Sequence, residues 1–507
     1  MSLEKNITHS GTVISVDHPL VTVAGLTKIH AGEVVTFENG AIGQIIDLDE
    51  KKTTVMVFSR AFVPIGSKVH PTGKPITIAT CPDLLGKVID PFGEVIGNLS
   101  GAAAEEKKPG THGAACVSAC EHALPQEMRS IDIAPRQLTD RVRITEQMHC
   151  GIGAVDALFP IGKGQRQLIV GDRKTGKTSF LQDITVNQAS SGTIVILALV
   201  GKKIADIKSI AEFLQAKGVA KNCVVVATTA KDPASTISLT PFSAMTIAEY
   251  FRDHGHNCLV ILDDLSRHAQ FYRELALLSK QFPGRDSYPG DIFFVHARLL
   301  ERAGAFATAS NKNNSATITC LPVAETISND LTDYITSNLI SITDGHLLFD
   351  ARLFSQGSRP AISTSLSVTR VGKQTQEPIS REMTLVLQNF INQYESMLAL
   401  THFGNELNQE TRQTLLRGNQ IRQLFNQKPG IQTIPEVMEI LITGVLLGWF
   451  AQYPTQSLAA ARESLHFVYR EQTHASVFES LRRAPNLTAF TASVSELQDT
   501  ILSLCQR

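Results

Sequence analysis

The sequence predicts an α/β protein in three parts: an N-terminal β-barrel, a central domain built on a parallel sheet, and a C-terminal helical bundle. Three patterns predict this. Short β-branched runs broken by turn residues fill the chain to about residue 80, near-continuous Val/Ile/Leu runs alternate with helical patterns over about 167–371, and helical patterns alone follow residue 380. The expected boundaries are 1–96 for the barrel domain, 97–147 for a connecting segment, 148–379 for the central domain and 380–507 for the helical domain.

In the first part the strand runs are Gly11 to Val16, Val21 to Val23, Glu33 to Phe37, Ala41 to Ile46 and Thr53 to Phe58, and Asn39-Gly40 between two of them is a hairpin signal. From Gly97 to about Gln147 the chain is rich in Gly, Ala, Pro and charge with little period, as a connection is. Buried strands are then expected at Gln167 to Val170, Thr193 to Val200, Cys223 to Ala227, Cys258 to Leu262 and Ile292 to Val295. Beyond Ser380 the breaks in the helical pattern are expected at Gly418, Pro429-Gly430 and Pro454.

With 507 residues, 43% of them hydrophobic and 19% charged, the chain can bury a large core. A formal net charge of -1 without a long Lys/Arg run excludes broad attraction to nucleic acid or an anionic bilayer. The first ten residues lack the pattern of a secretory signal, and the apolar stretch Val437 to Phe450 carries Glu439 and is too short to cross a bilayer, so a cytoplasmic protein is expected. Eight scattered cysteines point to reduced thiols; Cys116 and Cys120, flanked by His112 and His122, match no common structural zinc spacing.

The chemistry centres on GDRKTGKT at residues 171–178, which follows a strand and opens a helical pattern, the context of a phosphate loop in a RecA-like P-loop domain. Gly171, Asp172, Arg173, Lys174, Thr175 and Gly176 form the cradle, whose backbone N–H groups and helix dipole suit nucleotide phosphates. Lys177 is expected on the β/γ-phosphates of ATP or ADP and the Thr178 hydroxyl on Mg²⁺. Asp263 ends the run CLVILD and is the expected second magnesium ligand, directly or through water. Hydrolysis also needs a group to orient water and take its proton, yet Gly201-Lys202-Lys203 follows the strand at Thr193 to Val200 with no carboxylate. Asp206 and Glu212 come only on the next helix.

These residues carry a resemblance. The chain is similar, over nearly its whole length, to the alpha subunits of F-type ATP synthases, whose loop reads GDRQTGKT and differs here only at Lys174. Further matching blocks are PIGKGQR at 160–166, EYFRD at 249–253, YPGD at 288–291, RLLER at 298–302, ISITDG at 340–345 and LSVTRVG at 366–372. The alpha rather than the catalytic beta type is implied by Lys202 where beta chains carry the water-activating Glu, by DDLS at 263–266, and by HFGNEL at 402–407 with LLRG at 415–418.

The resemblance implies a regulatory, non-catalytic nucleotide-binding subunit that alternates with a beta-type catalytic subunit in a hexameric ring around a gamma-type stalk. It implies coupling of ATP synthesis or hydrolysis to transport of protons, or of sodium, through a membrane sector reached only via the complex, at the cytoplasmic face of a bacterial inner membrane. Arg370 takes the place of an arginine finger for the neighbouring beta site, with Ser341 and Ser367 near that interface. Gln427 matches one of two adenine-pocket glutamines, while Pro429 stands at the other and Ser363 replaces an Asn or Asp. The barrel pattern begins by Gly11, earlier than in the family, which bears on stator attachment. The rival is a self-sufficient hexameric ATPase, a Rho-like translocase or secretion ATPase; that class needs the strand-tip Glu, and an RNA translocase also needs aromatic and basic residues interleaved in the barrel, where this chain has Phe37, Phe58 and Phe62 and no basic cluster.

Overall fold

The computed structural model describes residues 10–49, 52–60, 62–99, 126–308, 311–401, 409–451, 457–472, 475–482 and 484–505. They fall into two compact units. The first comprises residues 1–142, 189–324 and 332–342, the second 143–188, 325–331 and 343–507.

In the first unit, Gly11–Asp17, Leu20–Ala24, Glu33–Phe37, Ile42–Leu48, Thr53–Val57 and Lys68–Pro75 close into an antiparallel barrel, the first strand pairing both the second and the last. Alternation along each strand sends Val21, Val23, Val35, Val55 and Val57 inward, where each is at most 1% exposed. A sheet in the same unit runs in the order Asn311–Glu325, Cys258–Asp263, Ile194–Lys202, Cys223–Thr229, Lys87–Ile89, with parallel neighbours throughout and Val95–Asn98 added antiparallel at the edge. Both faces of its central strands are buried, which is why they read as unbroken apolar runs. The short strand Lys87–Ile89 lies in the span expected to be barrel domain, and Val95–Asn98 straddles its end, yet both pair into this sheet.

Helix Ala234–Asp253 is buried along nearly its whole length. Several of its polar residues are matched: Ser235 and Thr236 donate to the carbonyls of Val57 and Phe58, and the Glu249 carboxylate receives the Arg302 guanidinium at 3.1 and 2.7 Å, the pair almost sealed from solvent. Ile292 to Val295, expected as a strand, is the first turn of helix Ile292–Leu300. Ile292, His296, Leu299 and Leu300 are the buried positions, the spacing of one helical face, which a four-residue window cannot reveal.

In the second unit, Gln167–Gly171 pairs in parallel with Gly345–Phe349, which carries Val368–Thr369 antiparallel on its other side. Helices Pro378–Thr401, Gln409–Phe425, Pro435–Leu447, Ser457–Arg470, Ala475–Arg482, Leu487–Glu496 and Gln498–Cys505 form the helical part. Gly418, expected as a break, lies inside the second of these. A Cβ there would stand 2.0 Å from the Tyr394 ring, so the glycine serves close helix contact rather than termination. Cys81 is disulfide-bonded, which corrects the expectation of reduced thiols at that residue; Cys150, Cys223, Cys258, Cys320 and Cys505 are free. Cys116, Cys120, their flanking histidines and 402–407 lie outside the described residues. Among the described residues no helix is long and apolar enough to cross a membrane, and no cluster of His, Cys, Asp and Glu is arranged to hold a metal.

Candidate functional site

The phosphate loop leaves the buried strand Gln167–Gly171 and enters helix Lys177–Ser190. Gly171 has φ +153°, and a Cβ on it would sit 2.4 Å from the Phe349 carbonyl oxygen, so only glycine lets the loop turn against that strand. Lys174 and Gly176 also take positive φ, which curls the loop around its own backbone N–H groups. Thr175 donates to the Asp172 carbonyl at 2.8 Å. Lys177 is 9% exposed, and its ammonium donates to the carbonyls of Gly171 and Asp172. Thr178 and Ser179 are exposed on the first helical turn.

Two of the expected cradle side chains face elsewhere in the same unit. The Asp172 carboxylate accepts from the Thr326 hydroxyl at 2.7 Å and the Asn329 N–H at 2.9 Å, and Arg173 pairs with Glu325 at 2.8 Å. They tether the loop to 325–329.

A cavity of about 140 Å³ adjoins the loop, walled by Thr175, Gly176 and Ser179 on one side and by Phe354, Pro360, Gln427 and Pro429 on the other. The Arg359 guanidinium stacks 3.5 Å from the Phe354 ring centre and donates through Nη1 to the carbonyls of Phe354 and Ser358. Gln427 is 5% exposed, and its amide is engaged by backbone. Its Oε1 accepts from Gly153 N–H at 3.2 Å, while Nε2 donates to the carbonyls of Gly151, at 2.9 Å, and Ile431. Phe354, Arg359 and Pro360 were not among the residues singled out in the sequence. Their only signal was position, just ahead of Ser363.

In the first unit, Asp263 ends its strand beside Ile194–Lys202. The Lys202 ammonium lies 2.8 Å from its Oδ1, both side chains about 15% exposed. Asp264 caps the following helix by accepting from Arg267 N–H at 2.6 Å, and Arg267 in turn donates to the Gly201 carbonyl at 2.7 Å. Asp206 and Glu212 lie on the exposed face of helix Ile204–Ala216. The strand tip therefore presents a lysine–aspartate ion pair. Of the three aromatics named in the barrel region, Phe37 and Phe58 are buried core residues at 3% and 2% exposure, whereas Phe62 is 71% exposed.

Arg370 is exposed. Its backbone N–H donates to the Asp344 carbonyl, its Nη1 lies 3.4 Å from the Thr343 carbonyl, and the Asp344 carboxylate is occupied by a two-pronged contact from Arg166. Among the described residues Arg370 has no carboxylate partner. Ser367 is buried and accepts from Leu348 N–H at 3.0 Å, a strand-joining contact. Ser341 belongs to the first unit, where it donates to the Asn338 carbonyl at 2.6 Å on the last turn of its helix.

The description "ATP synthase alpha/beta family, nucleotide-binding domain" matches residues 151–369, that of the family's beta-barrel domain matches 7–73, and that of its C-terminal domain matches 376–501. The chain is 36% identical over 485 residues to "ATP synthase subunit alpha" of Dictyoglomus thermophilum, covering 95% of this chain and 90% of that protein.

Proposed function

The chain belongs to the ATP synthase alpha/beta family and is alpha-like, and from that premise we propose that it is the non-catalytic, regulatory nucleotide-binding subunit of an F-type complex. It alternates with a beta-type catalytic subunit in a hexameric ring around a gamma-type stalk, peripheral to a bacterial inner membrane on its cytoplasmic face. Through the membrane sector the complex couples ATP synthesis or hydrolysis to movement of protons or sodium.

The observation that carries the proposal is the Lys202–Asp263 ion pair. An ammonium cannot accept a proton from attacking water, and it offsets the charge of the carboxylate beside it. ATP or ADP binds at the loop, its phosphates met by the N–H groups of 171–176 and by Lys177. The Thr178 hydroxyl, exposed on the first helical turn, fits a magnesium ligand. Bound Mg²⁺ would neutralise phosphate charge. Asp263, already balanced by Lys202, contributes less to holding it than a free carboxylate would. The exposed Arg370, without a carboxylate partner, suits a guanidinium lent to a neighbouring beta site, where it stabilises charge on the transferred phosphoryl group.

The test is phosphate release from Mg-ATP by the purified chain alone, then with a beta-type partner, with Arg370→Ala beside it. The expected result is silence alone, activity on mixing, and a loss of about 10³-fold or more with the variant. Brisk turnover by the chain alone would instead establish a self-sufficient ATPase.

A further inference from the structure

We propose that His268 and His296 form an acid-operated latch: while both rings are neutral they bolt three helices of the first unit together, and entry of a proton releases them. The latch is independent of the nucleotide reading above.

The two imidazoles are fully buried, one on helix Leu265–Leu278 and the other on helix Ile292–Leu300. His268 Nε2 lies 3.1 Å from the Ser238 carbonyl on helix Ala234–Asp253, and His268 Nδ1 lies 3.2 Å from His296 Nε2. A carbonyl only accepts, so the proton of His268 sits on Nε2 and its Nδ1 is left as an acceptor. His296 Nε2–H must then donate to it. That leaves His296 Nδ1 bare, a sealed atom with no partner among the described residues. A further proton either ends on this Nδ1, where nothing accepts it, or sets two N–H groups against each other between the rings. In both cases a full charge is sealed away from water.

No carboxylate stands by to balance that charge, because the charged groups on every element packed against the pair are engaged elsewhere or exposed. On helix Ala234–Asp253, Glu249 pairs with Arg302 and Arg252 with Asp253. On helix Leu265–Leu278, Asp264 caps the first turn, Arg267 donates to the Gly201 carbonyl, Arg273 donates to that of Asp286, and Glu274 is exposed. Tyr272, its ring stacked 6.4 Å from that of His268, donates its hydroxyl to Asp291. Arg298 pairs with Asp132, Tyr334 of helix Tyr334–Ile342 packs on Phe293, and Lys202 on the adjoining strand holds Asp263. Burial accordingly holds His268 down to about 4 from the ordinary 6.5, against the Ser238 hydrogen bond, and holds His296 well below 6.5 with His268 adding to the effect. The unfolded chain binds protons that the closed latch refuses, so the latch is at full strength above about pH 6.5 and weakens as the pH falls toward 4. Arg267, which holds the Gly201 carbonyl at 2.7 Å, is the residue before His268, so opening the latch also frees the strand tip that carries Lys202.

The experiment is backbone hydrogen exchange by mass spectrometry on the full chain at about pH 7.5 and about pH 5, normalised for intrinsic exchange. An amide offers a donor and an acceptor as a neutral imidazole does and does not titrate, so His268→Gln and the double variant His268→Gln/His296→Gln are compared with wild type. Each ring held from 6.5 to about 4 contributes up to about thirtyfold at pH 5, so wild-type protection over 265–278 and 199–203 is expected to fall by about a hundredfold or more. His268→Gln is expected to cut that fall by about tenfold, and the double variant to flatten it to within about threefold, while the barrel strands hold their protection in all three proteins. Wild-type protection that is level between the two pH values, a loss shared equally by the barrel, or a double variant as acid-sensitive as wild type would overturn the proposal. A loosened helix beside a fully protected 199–203 would overturn its link to Gly201. If the double variant does not fold, exchange at the imidazole C2 carbon in wild type reads each ring separately: midpoints below about pH 5.5 are expected, and one near 6.5 at either ring would overturn the latch.

Discussion

The two ends of the nucleotide cleft are built on different principles. At the proposed phosphate end, the backbone sets the shape: Gly171, Lys174 and Gly176 hold positive φ, and the side chains of Asp172 and Arg173 are engaged with Thr326, Asn329 and Glu325. At the base end, where recognition by side chains would be expected, the one amide present is absorbed into the scaffold and its neighbour is a proline. A backbone cradle tolerates little substitution because its geometry is its chemistry.

The largest effect that would sharpen this contrast is expected at Gly171. Gly171→Ala forces a Cβ to 2.4 Å from the Phe349 carbonyl oxygen at φ +153°, and chemical denaturation should show a loss of about 4 kcal/mol, the range of a backbone clash at a special φ. A loss below about 1 kcal/mol would mean that the strand yields and the cradle is softer than described.

A second effect concerns the support behind the base end. Glu439 lines a small cavity with Gly153 and Asp156, and burial pushes its carboxyl from the ordinary 4.5 to about 7, the nearby Glu436 and Glu377 adding to the rise and a hydrogen bond from Ser380 opposing it. The folded state thus keeps a proton that the unfolded chain releases. Stability from this group is full below about pH 4.5, falls as the pH rises to about 7 and is level above, a swing of about 3 kcal/mol at most. Glu439→Gln should flatten that slope in denaturation curves measured from pH 5 to 8; an unchanged slope would place the titration elsewhere.

The smallest effect is expected at Phe354. Phe354→Ala removes a stacking surface, and calorimetry should show ATP weakened by about tenfold with inorganic tripolyphosphate unaffected. Unchanged ATP binding would break the comparison, since the ring would then take no part in holding the base.

Much of this organisation is legible in the residues. Alternation gives the barrel strands, unbroken Val/Ile/Leu runs give the parallel sheet, and the loop motif with its flanking strand and helix gives the phosphate end, because each depends on neighbours in sequence. What is not legible depends on distant partners. Gln427 looks like a ligand-facing amide until Gly151 and Gly153, more than 270 positions away, are seen to hold it. Lys202 reads only as a missing carboxylate; that its ammonium reaches Asp263 requires two strands to be side by side. Ile292 to Val295 shows the same limit locally, since four apolar residues suit a strand or a helix equally and only the following turn decides.

The contact of Gly418 with the Tyr394 ring has a consequence for how the helical part can change over time. With no room for even one methyl group against that ring, residue 418 cannot enlarge while Tyr394 keeps its size. A larger residue at 418 becomes tolerable only in a lineage that has already shrunk residue 394, so the two positions behave as one heritable unit and should change in pairs among descendants.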